Sequence, residues 1–413
     1  MFVKWLLFIF SVGWFVPTYA VPAASNCEKF ESYKDVLHCA IESHPELQQA
    51  KLLLDQNKYL VDIAKQRPNP ELSAQILGGK AGEDSYQYNQ INLAHTFELG
   101  GKRDARIQKS EGQIKTTEIN FRANQEKIYL QTYLALIRLR QISAELEIYD
   151  DALLTFGRIQ KQYRTRPRMT PEQQATYSIM DIAASDYRLR RRPLSNEVRE
   201  NKRFLEQAIG RKLTLEKYLF PPLRTKWPVL TATESSGSSI TLKKSLTELE
   251  FAQAELNEAK SLSWPDLKLG PTLEAQSQGS QRTNSLGINL SFAIPLFHAN
   301  GAGRSFAASG VSRAEKIVAA TKNFEKSQLE LQREKYQDAV SALEESLSIS
   351  DLHTRHQAIE KSFVSGLVPS TLIIEIHRQM ADYIKSLSEQ ENTAIEALAQ
   401  VYSIEGRLLS EGL

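Results

Sequence analysis

Few side chains in this sequence could do chemistry. His353 and His356 stand three residues apart in a stretch patterned as helix, close enough in rotation to share a metal ion. Two ligands without a third do not make a zinc-type site, and the pair reads as histidines on a helix surface. Gly301-Ala302-Gly303 lacks the third glycine and the strand-turn-helix setting of a dinucleotide loop. Cys27 and Cys39 do not have zinc spacing. No nucleophile motif, phosphate loop or pair of facing carboxylates stands out. The expectation is therefore a protein that is not an enzyme, with no catalytic residue, no cofactor and no resident metal. One stretch is strongly basic, with Arg158, Lys161, Arg164, Arg166 and Arg168.

The ends and composition narrow the class. Lys4, an apolar run from Trp5 to Val16 and then Pro17-Thr18-Tyr19-Ala20 read as a secretory signal peptide over residues 1–20. A membrane anchor is the alternative, but the run falls short of the ~20 apolar residues a spanning helix needs. No later stretch reaches spanning length, so any membrane crossing must use strands. In an oxidising compartment Cys27 and Cys39 suit a local disulfide, with lipidation of Cys27 as the rival. The formal charge of +2 becomes +1 once Lys4 is removed, which points to no nucleic-acid partner. Abundant Leu, Ala, Glu, Gln, Lys and Arg make a long-helix composition.

The elements that would position these residues occur twice. Ala64-Lys65, four residues, then Pro70-Glu71-Leu72 reappears as Ala259-Lys260, four residues, then Pro265-Asp266-Leu267. Leu93 to Leu99 is echoed by Leu290 to Leu296, and Leu205 to Gly210 by Val401 to Gly406. A duplicated plan of helix, hairpin, helix, helix follows. It divides the chain into an N-terminal segment (21–34), a first repeat (35–210), a linker rich in Pro and Ser (211–239) and a second repeat (240–410).

Within each repeat the helices are long. Ile107, Ile114, Phe121, Ile128, Ala135, Ile142, Tyr149, Phe156 and Tyr163 recur every seventh position, a coiled-coil seam. Sixty residues at ~1.5 Å each make a rod of ~90 Å. The second half carries the same element from about Arg304 to Phe363, and return helices run from Pro171 to Gly210 and from Pro369 to Gly406. Pro193, beside Arg190-Arg191-Arg192, should kink or break the first of these.

Four strands are expected at about 70–79, 86–99, 265–277 and 284–296, joined by turns at Gly78 to Gly82 and at Gln278 to Ser280. Their period of two, with one apolar face, suits strands between lipid and water. Four strands cannot close a barrel, and open edges cannot face lipid. Chains must therefore share one: two would give eight strands, three would give twelve and room for a channel, and three is the better physical reading.

With these residues placed, the chain resembles the TolC-like outer membrane efflux protein family over roughly Tyr33 to Leu409. His44-Pro45-Glu46-Leu47 with Ala50 is similar to the family's opening helix, and Arg67 to Leu72 to its first strand. Glu98-Leu99-Gly100-Gly101-Lys102-Arg103, followed by Arg106-Ile107, resembles the heavy-metal or CzcC-like branch at the barrel-to-helix junction, with Pro295, Leu296, Phe297, Asn300 and Gly301 as the second-half counterpart. The resemblance implies a mainly α fold with membrane β. It implies a homotrimer, with a 12-strand β-barrel in outer membrane lipid continued by a periplasmic α-helical barrel. The implied partners are a periplasmic adaptor and an inner-membrane pump of the proton-driven resistance, nodulation and division type. The implied function is passive conduction of metal ions or small toxic compounds, with drug efflux and type I protein secretion as alternatives inside the class. A periplasmic adaptor or a structural coiled-coil protein is the alternative outside it. The helix tips farthest from the barrel, with Arg164, Arg166 and Arg168 in one and Gly366 and Pro369 in the other, are the expected sites of gating and adaptor contact.

Overall fold

The computed structural model describes residues 27, 29–230, 239–365 and 367–413. The proposed signal peptide, residues 231–238 of the linker and Gly366 lie outside these residues.

Three short helices open the first half: α1 (Tyr33–Ser43), α2 (Pro45–Asn57) and α3 (Tyr59–Lys65). Pro45 sits where its missing N–H is no loss, and His44 Nδ1 accepts from the Glu46 N–H at 3.2 Å, so His-Pro-Glu is a helix start. Cys27 and Cys39 are joined by a disulfide that ties the leading segment to α1. Strands β1 (Glu71–Ala81) and β2 (Asp84–Phe97) follow, then α4 (Lys102–Arg164) and α5 (Pro171–Ile209). At 63 residues α4 is about 95 Å long. Thr170 and Gln173 form a capping box at the start of α5, and Gly210 closes it with φ 72°.

The second half repeats the order with α6 (Ile240–Ser261), β3 (Leu267–Gln278), β4 (Gln281–Phe292), α7 (Gly301–Glu344), α8 (Ile349–Val364) and α9 (Ser370–Ile404), ending in the single turn α10 (Leu408–Glu411). The largest apolar core lies midway along the rod, where Val36 of α1, Leu136 of α4, Leu205 of α5, Tyr336 of α7, Leu398 of α9 and Leu408 of α10 meet. No helix is long and apolar enough to cross a membrane among the described residues.

Four expectations are corrected. The helix expected from Arg304 to Phe363 is two helices, because Ser346 turns its hydroxyl onto the Leu343 carbonyl and Ser348 caps α8 through the Asp351 N–H. Serine side chains compete with the helical ladder in this way, and the Tyr383 hydroxyl donates to the freed Leu347 carbonyl at 3.1 Å. Pro193 does not end α5, which runs through it. The flanking turns are held there: Arg191 pairs with Asp150 at 2.6 Å and Arg190 with Asp186 at 2.8 Å. Gly78, Gly79 and Lys80 are not turn residues but strand residues paired with Gln87, Tyr86 and Ser85, leaving Gly82 and Glu83 as the whole turn. β4 also stops at Phe292, short of Leu296, since Pro295 has no N–H to continue a ladder.

The four strands form one antiparallel sheet in the order β1-β2-β3-β4. β2 pairs with β3 although the whole helical hairpin and α6 separate them in sequence. Both hairpins therefore stand side by side at one end of the rod.

Candidate functional site

The register sorts the sheet into two faces. Leu72↔Leu93, Ala74↔Ile91, Ile91↔Leu273, Phe97↔Leu267, Leu269↔Leu290 and Leu273↔Leu286 all fall on one side. Its side chains stay uncovered, with Ile76 75%, Leu286 77% and Ile288 79% exposed. Continuous apolar surface of this kind is rare on a protein that meets only water. The opposite face is polar and bonded across strands. Gln90 donates to Glu274 at 3.0 Å and to Thr272 at 3.3 Å, Asn92 contacts Ser73 and Thr272, and Lys268 pairs with Glu71 at 2.7 Å. Within the chain, β1 and β4 each pair on one side only, so both outer edges present unpaired N–H and C=O groups. Gly270 and Pro271 interrupt the middle pairing, and any side chain on Gly270 would run into the Leu93 carbonyl.

The junction between sheet and rod is built from charge and from left-handed backbone. Gly100 and Gly101 adopt φ 72° and 73° between β2 and α4, and a Cβ on Gly100 would sit 2.5 Å from the Trp264 ring. Lys102 pairs with Asp266 at 2.6 Å, and Arg103 donates to the Lys65 carbonyl at 2.9 Å. Arg106 makes a fork on Glu98 at 2.6 and 3.2 Å and also donates to the carbonyls of Ala64 and Gln66. The Glu98 to Arg106 series thus clamps the last residues of α3 and β2 and the first turns of α4. In the second half Asn300 takes the left-handed position with φ 51° and donates to the Ala259 carbonyl at 2.9 Å. Gly301 is the first residue of α7, and Pro295 lies in the irregular stretch between β4 and that helix.

At the far end, residues 165–170 join α4 to α5. Arg164 donates to the Tyr177 hydroxyl at 2.8 Å and lies over that ring, Arg166 lies over the Tyr163 ring at 5.2 Å, and Arg168 is exposed. The second tip differs in kind. Pro369 supplies the extended residue before α9, and Val364 and Leu367 are 84% and 77% exposed. Gly366, placed in this turn by number, is outside the described residues.

A cluster that the sequence reading missed lies two turns short of that tip. His356 is not a surface histidine: it is 4% exposed, and His377 of α9 is fully buried against it, with their Nε2 atoms 3.1 Å apart. Burial, and then the neighbouring His377, push the His356 ring below its usual pKa, toward the neutral form. Asp151 of α4 and Glu360 of α8 complete the group. His353, the partner suggested by spacing, is exposed and is not part of the group. The available signal was Glu360, four residues after His356 and so on the same face of a helix.

By sequence the chain matches no family model and no curated relative. By structure it is similar to the outer membrane protein VceC from Vibrio cholerae, at 13% identity, with 91% of this chain and 96% of VceC covered and a TM-score of 0.68. CusC, described with its folding and transmembrane channel formation, matches at 15% identity over 95% of this chain and 99% of CusC, with a TM-score of 0.68. The open state of the MtrE outer membrane channel from Neisseria gonorrhoeae matches at 12% identity over 91% of this chain and 89% of MtrE, with a TM-score of 0.68. Duplicated long helices and a four-stranded meander at one end are thus the fold of the TolC-like outer membrane channels.

Proposed function

We propose that this chain is one protomer of a homotrimeric outer membrane duct that conducts substrate passively from the periplasm across the outer membrane. The observation that carries the reading is the sheet, with one uncovered apolar face, one polar cross-linked face and two open edges. Open edges are costly in lipid, and three such sheets joined edge to edge make twelve strands with none left. The apolar face then meets lipid, and the Gln90, Asn92, Thr272 and Glu274 network lines water.

The rod carries the duct inward to its tips. There a periplasmic adaptor and an inner-membrane pump of the resistance, nodulation and division type would dock, with Arg164, Arg166, Arg168, Gly366 and Pro369 at the contact and the opening. Metal ions or small toxic compounds are the proposed cargo, on the likeness of the Glu98 to Arg103 junction to the CzcC-like branch. Drug efflux and protein secretion would use the same duct with a different pump.

The test is fractionation followed by planar-bilayer recording of the detergent-extracted protein. An outer membrane trimer with discrete conductance is expected. A soluble or inner-membrane protein without conductance would overturn the reading.

A further inference from the structure

Near the second tip, three helices converge on four donor atoms. His356 Nε2 and His377 Nε2 are 3.1 Å apart, and Asp151 Oδ2 lies 3.7 and 3.5 Å from them. Glu360 Oε1 is 3.8 Å from His356, and all four donors lie within 4.8 Å of one another. Four ligands at zinc distances of ~2.0–2.2 Å form a tetrahedron with edges of roughly 3.3–3.6 Å. Four of the six separations, 3.1 to 3.8 Å, bracket that edge and the other two are within 4.8 Å, so closing on an ion needs side-chain movements of about an ångström or less rather than a rearrangement of the helices.

The surroundings supply what such a site requires. His377 Nδ1 donates to the Ile373 carbonyl at 2.7 Å, one turn back on α9, which leaves the Nε2 lone pair pointing into the cluster. Thr155 donates to Glu360 Oε1 at 3.0 Å and orients that carboxylate. Phe156 stacks edge-on against His377 at 5.6 Å and forms an apolar wall. The histidines are buried, while the Asp151 and Glu360 side chains are 45% and 30% accessible, so an ion can arrive from solvent. Two neutral imidazoles and two carboxylates balance the charge of a divalent cation. Without an ion, one proton lies between the two Nε2 atoms and both carboxylates are left beside two rings that cannot both donate to them.

We propose that Asp151, His356, Glu360 and His377 bind one divalent transition-metal ion of the zinc class, fastening α8 and α9 to α4 below the tip. Two nitrogen and two oxygen donors favour such ions over calcium or magnesium, which take oxygen ligands. His356 lies eight residues before the last residue of α8, so the fastening would sit ~12 Å from the helix end. Occupancy would therefore hold α8 and α9, which border the second tip, to α4. The proposal rests on the side chains alone and stands or falls separately from conduction.

The test titrates Co2+ into the full-length, detergent-extracted protein after chelator treatment. One Co2+ per chain with intense visible absorption of a tetrahedral site is expected, displaced by an equivalent of Zn2+. Asp151→Asn and His356→Phe should each weaken binding at least tenfold, and His353→Gln should leave it unchanged. Assembly on a gel identifies any variant that fails to fold, and Asp151→Asn changes the least buried ligand, keeping size and a hydrogen-bonding side chain. No binding by the wild-type protein would mean a buried histidine pair only. Equal binding by the wild type, Asp151→Asn and His356→Phe, or loss with His353→Gln, would mean a different site; each of these results overturns the proposal.

Discussion

Phe156 and His356 occupy corresponding places in the two halves. Each lies eight residues before the end of its helix, each is buried, and each touches His377. Around Phe156 the first half is apolar, with Ala152, Ile159, Met180, Ala184 and Tyr187 closing α4 on α5. Around His356 the surroundings are polar, with Glu360 and His377 closing α8 on α9 and Asp151 of α4 beside them. The difference teaches that one helical plan can be held near its tip by two kinds of force. Dispersion and water exclusion need no partner beyond shape. A buried polar cluster is stable only if every member is satisfied.

The largest effect should come from the apolar side. Phe156→Ala removes a fully buried ring and should cost about 3–5 kcal/mol in denaturant unfolding. A cost below about 1 kcal/mol would mean that the first-half contact is dispensable and the contrast is lost. A second asymmetry is covalent: the first half alone carries the Cys27–Cys39 disulfide, closing a sequence separation of 12. Replacing both cysteines by Ser should lower stability by about 3 kcal/mol under oxidising conditions, with no effect of reductant on the variant. Intact mass of the mature protein would at the same time exclude or reveal a lipid on Cys27.

The polar side gives the next prediction. The pair His356→Phe with His377→Leu turns the cluster into a copy of its apolar counterpart, and without metal should unfold within about 1–2 kcal/mol of the wild type, on either side. Zn2+ at one hundred times its Kd should add about 2.7 kcal/mol to the wild type and nothing to the double variant. Equal responses to Zn2+ would erase the distinction between the two halves.

How much of this was legible depended on whether the signal was local and periodic. The seam from Ile107 to Tyr163 repeats every seventh residue, and α4 runs the full length that it predicts. The alternation from Leu286 to Leu290 placed the centre of β4, whereas its end depended on where the chain must turn away from its neighbour. Gly78-Gly79 looked like a turn because glycine favours turns, yet the ladder to β2 runs straight through it, with Gly78 opposite Gln87 and Gly79 opposite Tyr86. The α7–α8 break was hidden because Ser346 and Ser348 are weak breakers; the first half has Leu146 and Ile148 at the corresponding places and stays helical. The His356 cluster draws on α4, α8 and α9, with Asp151 and His356 more than two hundred residues apart, and no local pattern announces a contact of that range. His353 was the nearer histidine in sequence and the wrong one in space.

The smallest effect on stability, and the sharpest on conduction, belongs to the tips. The first tip presents Arg164, Arg166 and Arg168, two of them resting on tyrosine rings, while the second presents Val364 and Leu367. Exposed cation–π contacts contribute about 0.5–1 kcal/mol each at most. Replacing the three arginines together by Ser should therefore shift stability by no more than about 1–2 kcal/mol and leave assembly intact. Their field is another matter: repeated around a threefold axis, the basic tips would concentrate anions at a narrow opening. The triple variant should lower anion preference in bilayer recordings or weaken adaptor docking, and both effects on the wild type should diminish with salt, since exposed charges are screened within ~8–10 Å at physiological ionic strength. Val364→Ser with Leu367→Ser should leave ion preference unchanged and act, if at all, on docking. If the arginine variant matches the wild type in conductance, selectivity and docking, the basic turn is a solvated surface and the two tips differ in sequence without differing in function.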